Sequence, residues 1–199
     1  MRKYLVEFIG TFFLLIAVFF AATPFGVGAM LIGVIYAGGH ISKAHYNPAV
    51  TLAFWLCRKI ENKDVLPYLI AQLLAAALAA VIAVQMDKGG TGTQLLVTGP
   101  AILGEVLGTF ALVFVILNVA ISKGTEGNQF YGLAIGAIVV GCAYAFGSIS
   151  GGAFNPAVAF GACLSGVFAW SNIWIYLLTN FVTAAVTAYV FLYVEGEGD

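Results

Sequence analysis

The tetrapeptide Asn-Pro-Ala-Val occurs twice in this chain, at 47–50 and again at 155–158. Each copy lies in a glycine-containing break inside a pattern that is otherwise apolar enough to cross a membrane. Corresponding interrupted apolar segments in the two halves of a membrane protein are typical of short half-helices that enter from opposite faces and meet at the transport site. The pair therefore predicts two re-entrant half-helices with a functional site between them.

The composition requires a bilayer as solvent, because 62% of the 199 residues are hydrophobic and only 9% are charged. A spanning helix needs about 20 apolar residues, and it satisfies its own backbone polar groups where water is absent. The net charge of −1 gives no reason to expect a nucleic-acid partner. We predict spans at about 4–22, 27–39, 65–86, 101–122, 131–148 and 170–194, with the segments 47–57 and 155–166 too short to cross.

The repetition extends beyond the tetrapeptide. Glu-Phe-Ile-Gly-Thr-Phe at 7–12 is echoed by Glu-Val-Leu-Gly-Thr-Phe at 105–110, and each run opens its half. Three spans per half is an odd number, so the repeats are inverted. We therefore predict an all-α membrane protein of six transmembrane helices plus two re-entrant half-helices. It forms one channel domain over 1–199, with inverted repeats at about 1–86 and 101–194.

The basic residues fall almost entirely on one side of this six-span arrangement. That side holds Arg2, Lys3, Lys43, Arg58, Lys59, Lys63 and Lys123, whereas Lys88 falls on the other. By the positive-inside rule the N-terminus, the loop carrying Asn47 and the C-terminus are cytoplasmic. The prediction is a multi-pass protein of the cell membrane, in contact with lipid.

Asn-Pro-Ala suits the start of a half-helix. Asn is a favoured N-cap, Pro in the first turn lacks an N–H that would be unsatisfied there, and Ala allows close approach. Asn47 and Asn155 would then place two positive helix ends at mid-membrane, with Pro48, Ala49, Pro156 and Ala157 behind them. Simple helix capping is the alternative, but re-entrant loops at membrane depth are tolerated only where they are buried or line a watery cavity.

The segments around these motifs resemble a known family. They read Gly-His-Ile-Ser-Lys-Ala-His-Tyr-Asn-Pro-Ala-Val-Thr at 39–51 and Ile-Ser-Gly-Gly-Ala-Phe-Asn-Pro-Ala at 149–157, and Tyr-Leu-Ile-Ala-Gln at 68–72 adds a further match. Along its whole length the chain resembles the major intrinsic protein family, the aquaporins and glycerol facilitators. The resemblance implies a homotetramer with one pore per subunit, passing water or small neutral solutes. It also implies cation exclusion by the half-helix dipoles.

Four polar side chains near the motifs allow two interpretations. Glu7 and Glu105 are costly at membrane depth and could relay protons, while His40 and His45 could form a pH gate. The resemblance implies instead that the glutamates hold the re-entrant loops through backbone N–H groups, and we favour loop support for all four. No nucleophile–base pair, metal-ligand cluster or phosphate loop is recognisable, so we predict neither an enzyme nor a cofactor.

The sequence departs from the family after the second motif, where Val158 replaces the usual arginine. Alignment on the motifs places the other constriction positions at Val27, Ala143 and Gly152. All four are small or apolar, so we expect a wide constriction in which solutes rely on backbone carbonyls around 151–153. Ala159 replaces the aspartate usual in glycerol facilitators, which argues against that branch. Tyr176 resembles the water-channel pattern whereas Leu177 is closer to the glycerol one, so the substrate stays open.

The leading hypothesis is a passive channel for water and small uncharged solutes. Within the channel class, selectivity for ammonia, carbon dioxide, hydrogen peroxide or another neutral solute is the alternative. From other classes, inverted repeats also build proton-coupled secondary transporters, and the missing arginine is compatible with a non-conducting structural membrane protein.

Overall fold

The computed structural model describes residues 1–92 and 96–196. Within those ranges the regular structure is helical, and no strand occurs. The helices are α1 (Arg2–Phe20), α2 (Pro24–Ser42), α3 (Pro48–Leu56), α4 (Asn62–Gln85), α5 (Thr98–Ala120), α6 (Tyr131–Ser150), α7 (Pro156–Leu164) and α8 (Ile173–Glu195). Short 3-10 turns at Lys123–Thr125 and Trp170–Asn172 precede α6 and α8.

The helices differ in length as predicted. In the described part of the chain, six are long and apolar enough to cross a membrane, namely α1, α2, α4, α5, α6 and α8. The helices α3 and α7 have nine residues each, which is roughly 14 Å at 1.5 Å per residue and about half of the hydrocarbon thickness. The predicted fold class, with six crossing helices and two half-length ones, is confirmed.

Helix α4 shows how the sequence is distributed between lipid and protein. Its inward face is a row of buried alanines, Ala71, Ala75, Ala76, Ala79, Ala80 and Ala83. Its outward face carries exposed large apolar side chains such as Leu66, Leu74 and Val81. Small residues inside allow close helix packing in a membrane, where lipid already solvates large apolar side chains.

The packing of the helices is the same in both halves. Helix α1 contacts α2 and α4, and α5 contacts α6 and α8 in the same way. The halves are joined through α2 and α6, and each half-helix also packs against the last helix of the other half, α3 on α8 and α7 on α4. The N-termini of α3 and α7 therefore meet in the middle of the molecule.

The connections lie on two faces. One face carries the connections 43–61 and 121–130 together with both helix ends near the chain termini, and we call it the terminal face. There Lys3 pairs with Asp64, Lys43 Nζ donates to the carbonyl of Lys59, and Lys123 N donates to Glu195. The opposite face carries 21–23, 86–92 and 151–172. On it Gly90 N donates to the carbonyl of Ser165.

Candidate functional site

Each Asn-Pro-Ala motif starts a half-helix. Asn47 is the N-cap of α3, and its Oδ1 accepts a hydrogen bond from Ala49 N at 2.8 Å. Asn155 is the N-cap of α7, and its Oδ1 accepts from Ala157 N at 2.9 Å. Both caps are followed by Pro in the first turn. The two helix starts therefore have the same local geometry, as the repeated tetrapeptide predicts.

The same two asparagines also bind across the molecule. Asn47 Nδ2 donates to the carbonyl of Phe154, and Asn155 Nδ2 donates to the carbonyl of Tyr46, both at 2.9 Å. Each asparagine thus bonds the residue that precedes the other asparagine. A side-chain amide has two N–H donors, so each Asn retains a second N–H beside the cavity that both residues line.

The loops before α3 and α7 share an unusual backbone. In the first loop Lys43, Ala44 and Tyr46 have φ of 68°, 50° and 48°. The second loop has positive φ at the matching positions, at Gly151, Gly152 and Phe154. A left-handed conformation costs a non-glycine residue about 1–2 kcal/mol, so the surrounding contacts must hold these loops in place.

A carboxylate holds the first loop. Glu7, fully buried in α1, accepts hydrogen bonds from the backbone N–H groups of His45 (2.9 Å) and Tyr46 (2.7 Å). It also accepts from Ser42 Oγ at 2.7 Å and Gln72 Nε2 at 2.9 Å. Four donors surround this side chain, which satisfies loop N–H groups that would otherwise be buried without partners.

The second loop is held in the same way. Glu105 in α5 is fully buried and accepts from the backbone N–H groups of Ala153 (3.0 Å) and Phe154 (2.8 Å). Ser150 Oγ donates to it at 2.7 Å and Asn180 Nδ2 at 3.0 Å. Neither Glu105 nor its counterpart in α1 is among the described residues that line the cavities below.

The two histidines occupy different surroundings. His45 is buried, its ring lies against Phe54 and Tyr68 with centroids 4.2 and 5.0 Å away, and its Nδ1 is 3.1 Å from Thr51 Oγ1. His40 is in the last turn of α2 and is exposed. The structure therefore brings the first histidine into the loop contacts and places the second at a cavity mouth.

Sequence reasoning did not assign to these networks several of the side chains that complete them. The phenol of Tyr68 donates to the carbonyl of Ser42 at 2.8 Å, and that of Tyr176 donates to the carbonyl of Ser150 at 2.6 Å. The signal was present, because these residues and the two amides recur at one constant offset along the sequence. They are Ser42, Tyr68 and Gln72 in the first half, and Ser150, Tyr176 and Asn180 in the second.

A cavity of about 380 Å³, which we call the central cavity, lies beside the paired asparagines. All four predicted constriction residues line it, namely Val27, Ala143, Gly152 and Val158. No Lys, Arg, Asp or Glu is found among its described lining residues. Its walls are largely aliphatic, and it reaches the connection 21–23 on the opposite face.

A second cavity of about 570 Å³, the terminal vestibule, opens on the terminal face. Four residues line both cavities, so the two are contiguous. They are Ile35, Ala44, Ile116 and Ile135. Sequence reasoning missed this shared stretch, because isoleucines inside apolar spans look the same whether they face lipid, protein or a pathway. Together the adjoining cavities extend from the connection 21–23 on one face to the terminal face on the other.

Comparison with known proteins identifies the family. The family model described as Major intrinsic protein matches residues 19–191. The chain belongs to the major intrinsic protein family. The resemblance drawn from the motifs is confirmed, and because members of this family are channels, this major intrinsic protein is not an enzyme. With the six apolar helices of the part that the structure describes, it is an integral multi-pass membrane protein.

Several relatives of this major intrinsic protein match it over most of its length. Aquaporin AqpM of Methanothermobacter thermautotrophicus is 35% identical, with 98% of each chain covered. Glycerol uptake facilitator protein-like 6 of Lactiplantibacillus plantarum is 36% identical over 95% of this chain and 96% of that protein. The structure of the aquaglyceroporin from Plasmodium falciparum superposes with a TM-score of 0.79 at 22% identity, covering 96% and 94% of the chains, which establishes the common fold.

Proposed function

We propose that this major intrinsic protein is a passive channel for water and small uncharged solutes. The observation that carries the proposal is that the central cavity and the terminal vestibule adjoin and together extend between the two faces. Their middle section is uncharged and lies beside the N-termini of α3 and α7. A passing molecule meets the second N–H of Asn47 and of Asn155, so a solute that accepts hydrogen bonds is stabilised there.

We assign the outer selectivity constriction to Val27, Ala143, Gly152 and Val158. These side chains line the central cavity and supply no hydrogen-bond donor. A solute at this level has only backbone groups to bind, such as those of Gly151 and Gly152, which line the cavity and carry no side chain. The constriction is therefore wide and apolar. Relatives named as an aquaporin and as a glycerol uptake facilitator-like protein make water and glycerol the first solutes to compare.

Cation exclusion at the centre of the pathway follows from the half-helices. Each helix N-terminus carries roughly half a positive charge, and both point at the same stretch of the cavity. A cation passing the asparagines loses a much larger hydration free energy than a neutral solute does, and only the cation is repelled by the two positive helix ends. Pore selectivity by half-helix dipoles and hydrogen-bond donors is a general device.

The roles of Glu7, Glu105 and His45 are to hold the loops. Proton coupling would require a carboxylate that faces the pathway, but each glutamate accepts hydrogen bonds from four donors, and neither is among the described residues that line the central cavity or the terminal vestibule. This arrangement favours a channel over a proton-coupled transporter. We further propose that the halves are inverted repeats of one channel domain.

The proposal extends to assembly and membrane placement. The large apolar side chains exposed on α4 and α8 provide surface for lipid and for neighbouring subunits, and we propose a homotetramer in the cell membrane. Seven of the eight Lys and Arg residues belong to the terminal face, the exception being Lys88. By the positive-inside rule that face is cytoplasmic.

The test is osmotic shrinkage of proteoliposomes followed by stopped-flow light scattering, with water and glycerol compared in the same preparation. We expect fast shrinkage with a low activation energy, independent of ion gradients. Asn155→Asp, which places an acid beside the dipoles, should reduce the flux. Verified insertion without permeability to water, glycerol, ammonia or hydrogen peroxide would refute the channel, and uphill transport that requires a proton gradient would indicate a transporter.

A further inference from the structure

Fixed charge is distributed unevenly along the pathway. Lys43, Lys59 and Lys123 line the terminal vestibule, and Glu126 is the single acidic side chain among its described lining residues. The central cavity has no Lys, Arg, Asp or Glu among its described lining residues, and His45 is the one histidine among them. The pathway therefore carries a net positive charge that is confined to one end.

Lys43 is the lysine best placed to act on a passing ion. It directly precedes Ala44, which lines both cavities. Its Nζ donates to the carbonyl of Lys59 at 2.7 Å, which fixes the ammonium at the vestibule wall. Lys123, by contrast, shares its end of the vestibule with acidic residues, since its backbone N–H donates to Glu195 and Glu126 also lines the vestibule.

The turn itself does not explain this lysine. Lys43 is the C-cap of α2 with φ of 68°, a left-handed conformation that glycine adopts without steric cost. The side chain is also surrounded by like charge, because partial burial and the charges of Lys59 and Lys3 lower the pKa of Lys43 from its ordinary value of 10.5. A cationic side chain is thus held where the backbone would favour glycine and where neighbouring cations oppose it.

We propose that Lys43 is a specificity-determining residue whose ammonium excludes small cations where the vestibule joins the central cavity. This inference rests on the proposed channel function. The walls beside it are apolar, including Ile35, Ile116 and Ile135, and low-dielectric walls focus the field of a fixed charge into the lumen. At an effective dielectric constant of about 20, one unit charge about 12 Å from the passing ion lowers cation entry on the order of tenfold. Neutral solutes do not experience this field.

The experiment compares cation leak with water permeability in the same proteoliposomes. Lys43→Gln removes the charge but keeps an N–H donor for the Lys59 carbonyl, Lys43→Gly removes the side chain at a position that suits glycine, and Lys43→Arg keeps the charge. We expect the ratio of potassium leak to water permeability to rise about tenfold in the Gln and Gly variants and to stay at the native value in Arg. The difference should shrink at high ionic strength, because salt screens the charge.

Lys88→Gln on the opposite face is the matched control, and its ratio should equal that of the native protein. An unchanged ratio in both neutral Lys43 variants, with water permeability present, overturns the inference and leaves the channel function standing. A rise in Lys43→Gly alone also overturns it, since the cause is then the backbone. Absence of permeability to water and to every neutral solute overturns the channel function and this inference together.

Discussion

At the scale of single residues, Val158 is the side chain whose identity bears most directly on what can pass. It is buried at 6% exposure in the first turn of α7 and faces the central cavity. Val158→Arg adds a long donor-bearing side chain to the same wall. We expect it to lower glycerol permeability relative to water by roughly tenfold, which corresponds to about 1.4 kcal/mol. Stopped-flow comparison of the two solutes measures this ratio.

Leu164→Arg is the matched control, because Leu164 is on the same half-helix but exposed at its end. That variant should keep the native ratio of glycerol to water permeability. If Val158→Arg leaves the ratio unchanged as well, the assignment of the constriction to this level of the cavity is wrong.

Glu105 is the clearest test of the loop-holding network. In Glu105→Gln one oxygen becomes an NH₂ group that faces N–H and O–H donors, so at least one buried donor loses its acceptor. Such a loss costs about 1–3 kcal/mol for a buried group, and we expect a lower thermal unfolding midpoint in detergent. Glu61→Gln is the control, since Glu61 is exposed and its ion pair with Lys63 is of the surface type that contributes little. Equal midpoints for both variants would contradict the role given to Glu105.

Residue roles were predictable from the sequence where chemistry singles a side chain out. Glu7 and Glu105 stand out because carboxylates are costly in a membrane. Tyr68 and Tyr176 do not stand out, because aromatic residues near span ends usually anchor the membrane interface. The sequence also predicts that His40 supports the first re-entrant loop. Among the described contacts none joins His40 to that loop, and the residue is exposed at the vestibule.

At the scale of helices, two glycines fix how closely α1 and α5 approach the loops that precede the half-helices, because aromatic rings of those loops pack against them. A Cβ added at Gly10 would lie 2.1 Å from the ring of Tyr46, and one added at Gly108 would lie 2.1 Å from the ring of Phe154. The carbonyls of these aromatic residues hold Asn155 and Asn47. The packing of α1 and α5 against the loops therefore fixes the positions of the asparagines.

Gly108→Ala should displace Phe154 and, through its carbonyl, Asn47. We expect lower water permeability and destabilisation of about 1–3 kcal/mol from overpacking. Gly33→Ala is the matched control, because nothing lies within 4 Å of a Cβ added there, and alanine in a helix is favoured over glycine by up to about 1 kcal/mol. Permeability assays and thermal unfolding of both variants measure the effect. Native behaviour of Gly108→Ala would show that the loop adapts to the added methyl group.

Helix existence and type were predictable from apolar run length, whereas helix starts were less so. The span expected from residue 65 begins at Asn62, and the one expected from 101 begins at Thr98. The first turns of α4 and α5 contain polar or small residues. The N–H groups of a first turn have no partner within the helix and bind water instead, so this turn lies at the membrane surface and does not need apolar side chains. A prediction based on apolar residues therefore omits those turns.

At the scale of the whole molecule, the two faces can be distinguished chemically. Cys57, Cys142 and Cys163 are buried and unpaired, so a membrane-impermeant maleimide should label the native protein poorly. Lys63→Cys on the terminal face should be labelled only from the cytoplasm, and Lys88→Cys only from outside. Labelling of intact and permeabilised cells gives the answer. Reaction of the Lys63→Cys variant in intact cells would reverse the proposed orientation.

The reciprocal bonds between the asparagines and the opposite loops have a consequence for how the protein is made. Asn47 and Asn155 each bind a residue more than a hundred positions away, and contacts so distant in sequence form late because chain closure must come first. The first half can insert its helices as it leaves the ribosome, but Asn47 has no acceptor until Phe154 has been synthesised. The lumen is therefore completed only near the end of translation, and a chain that stops early inserts helices without enclosing a pathway.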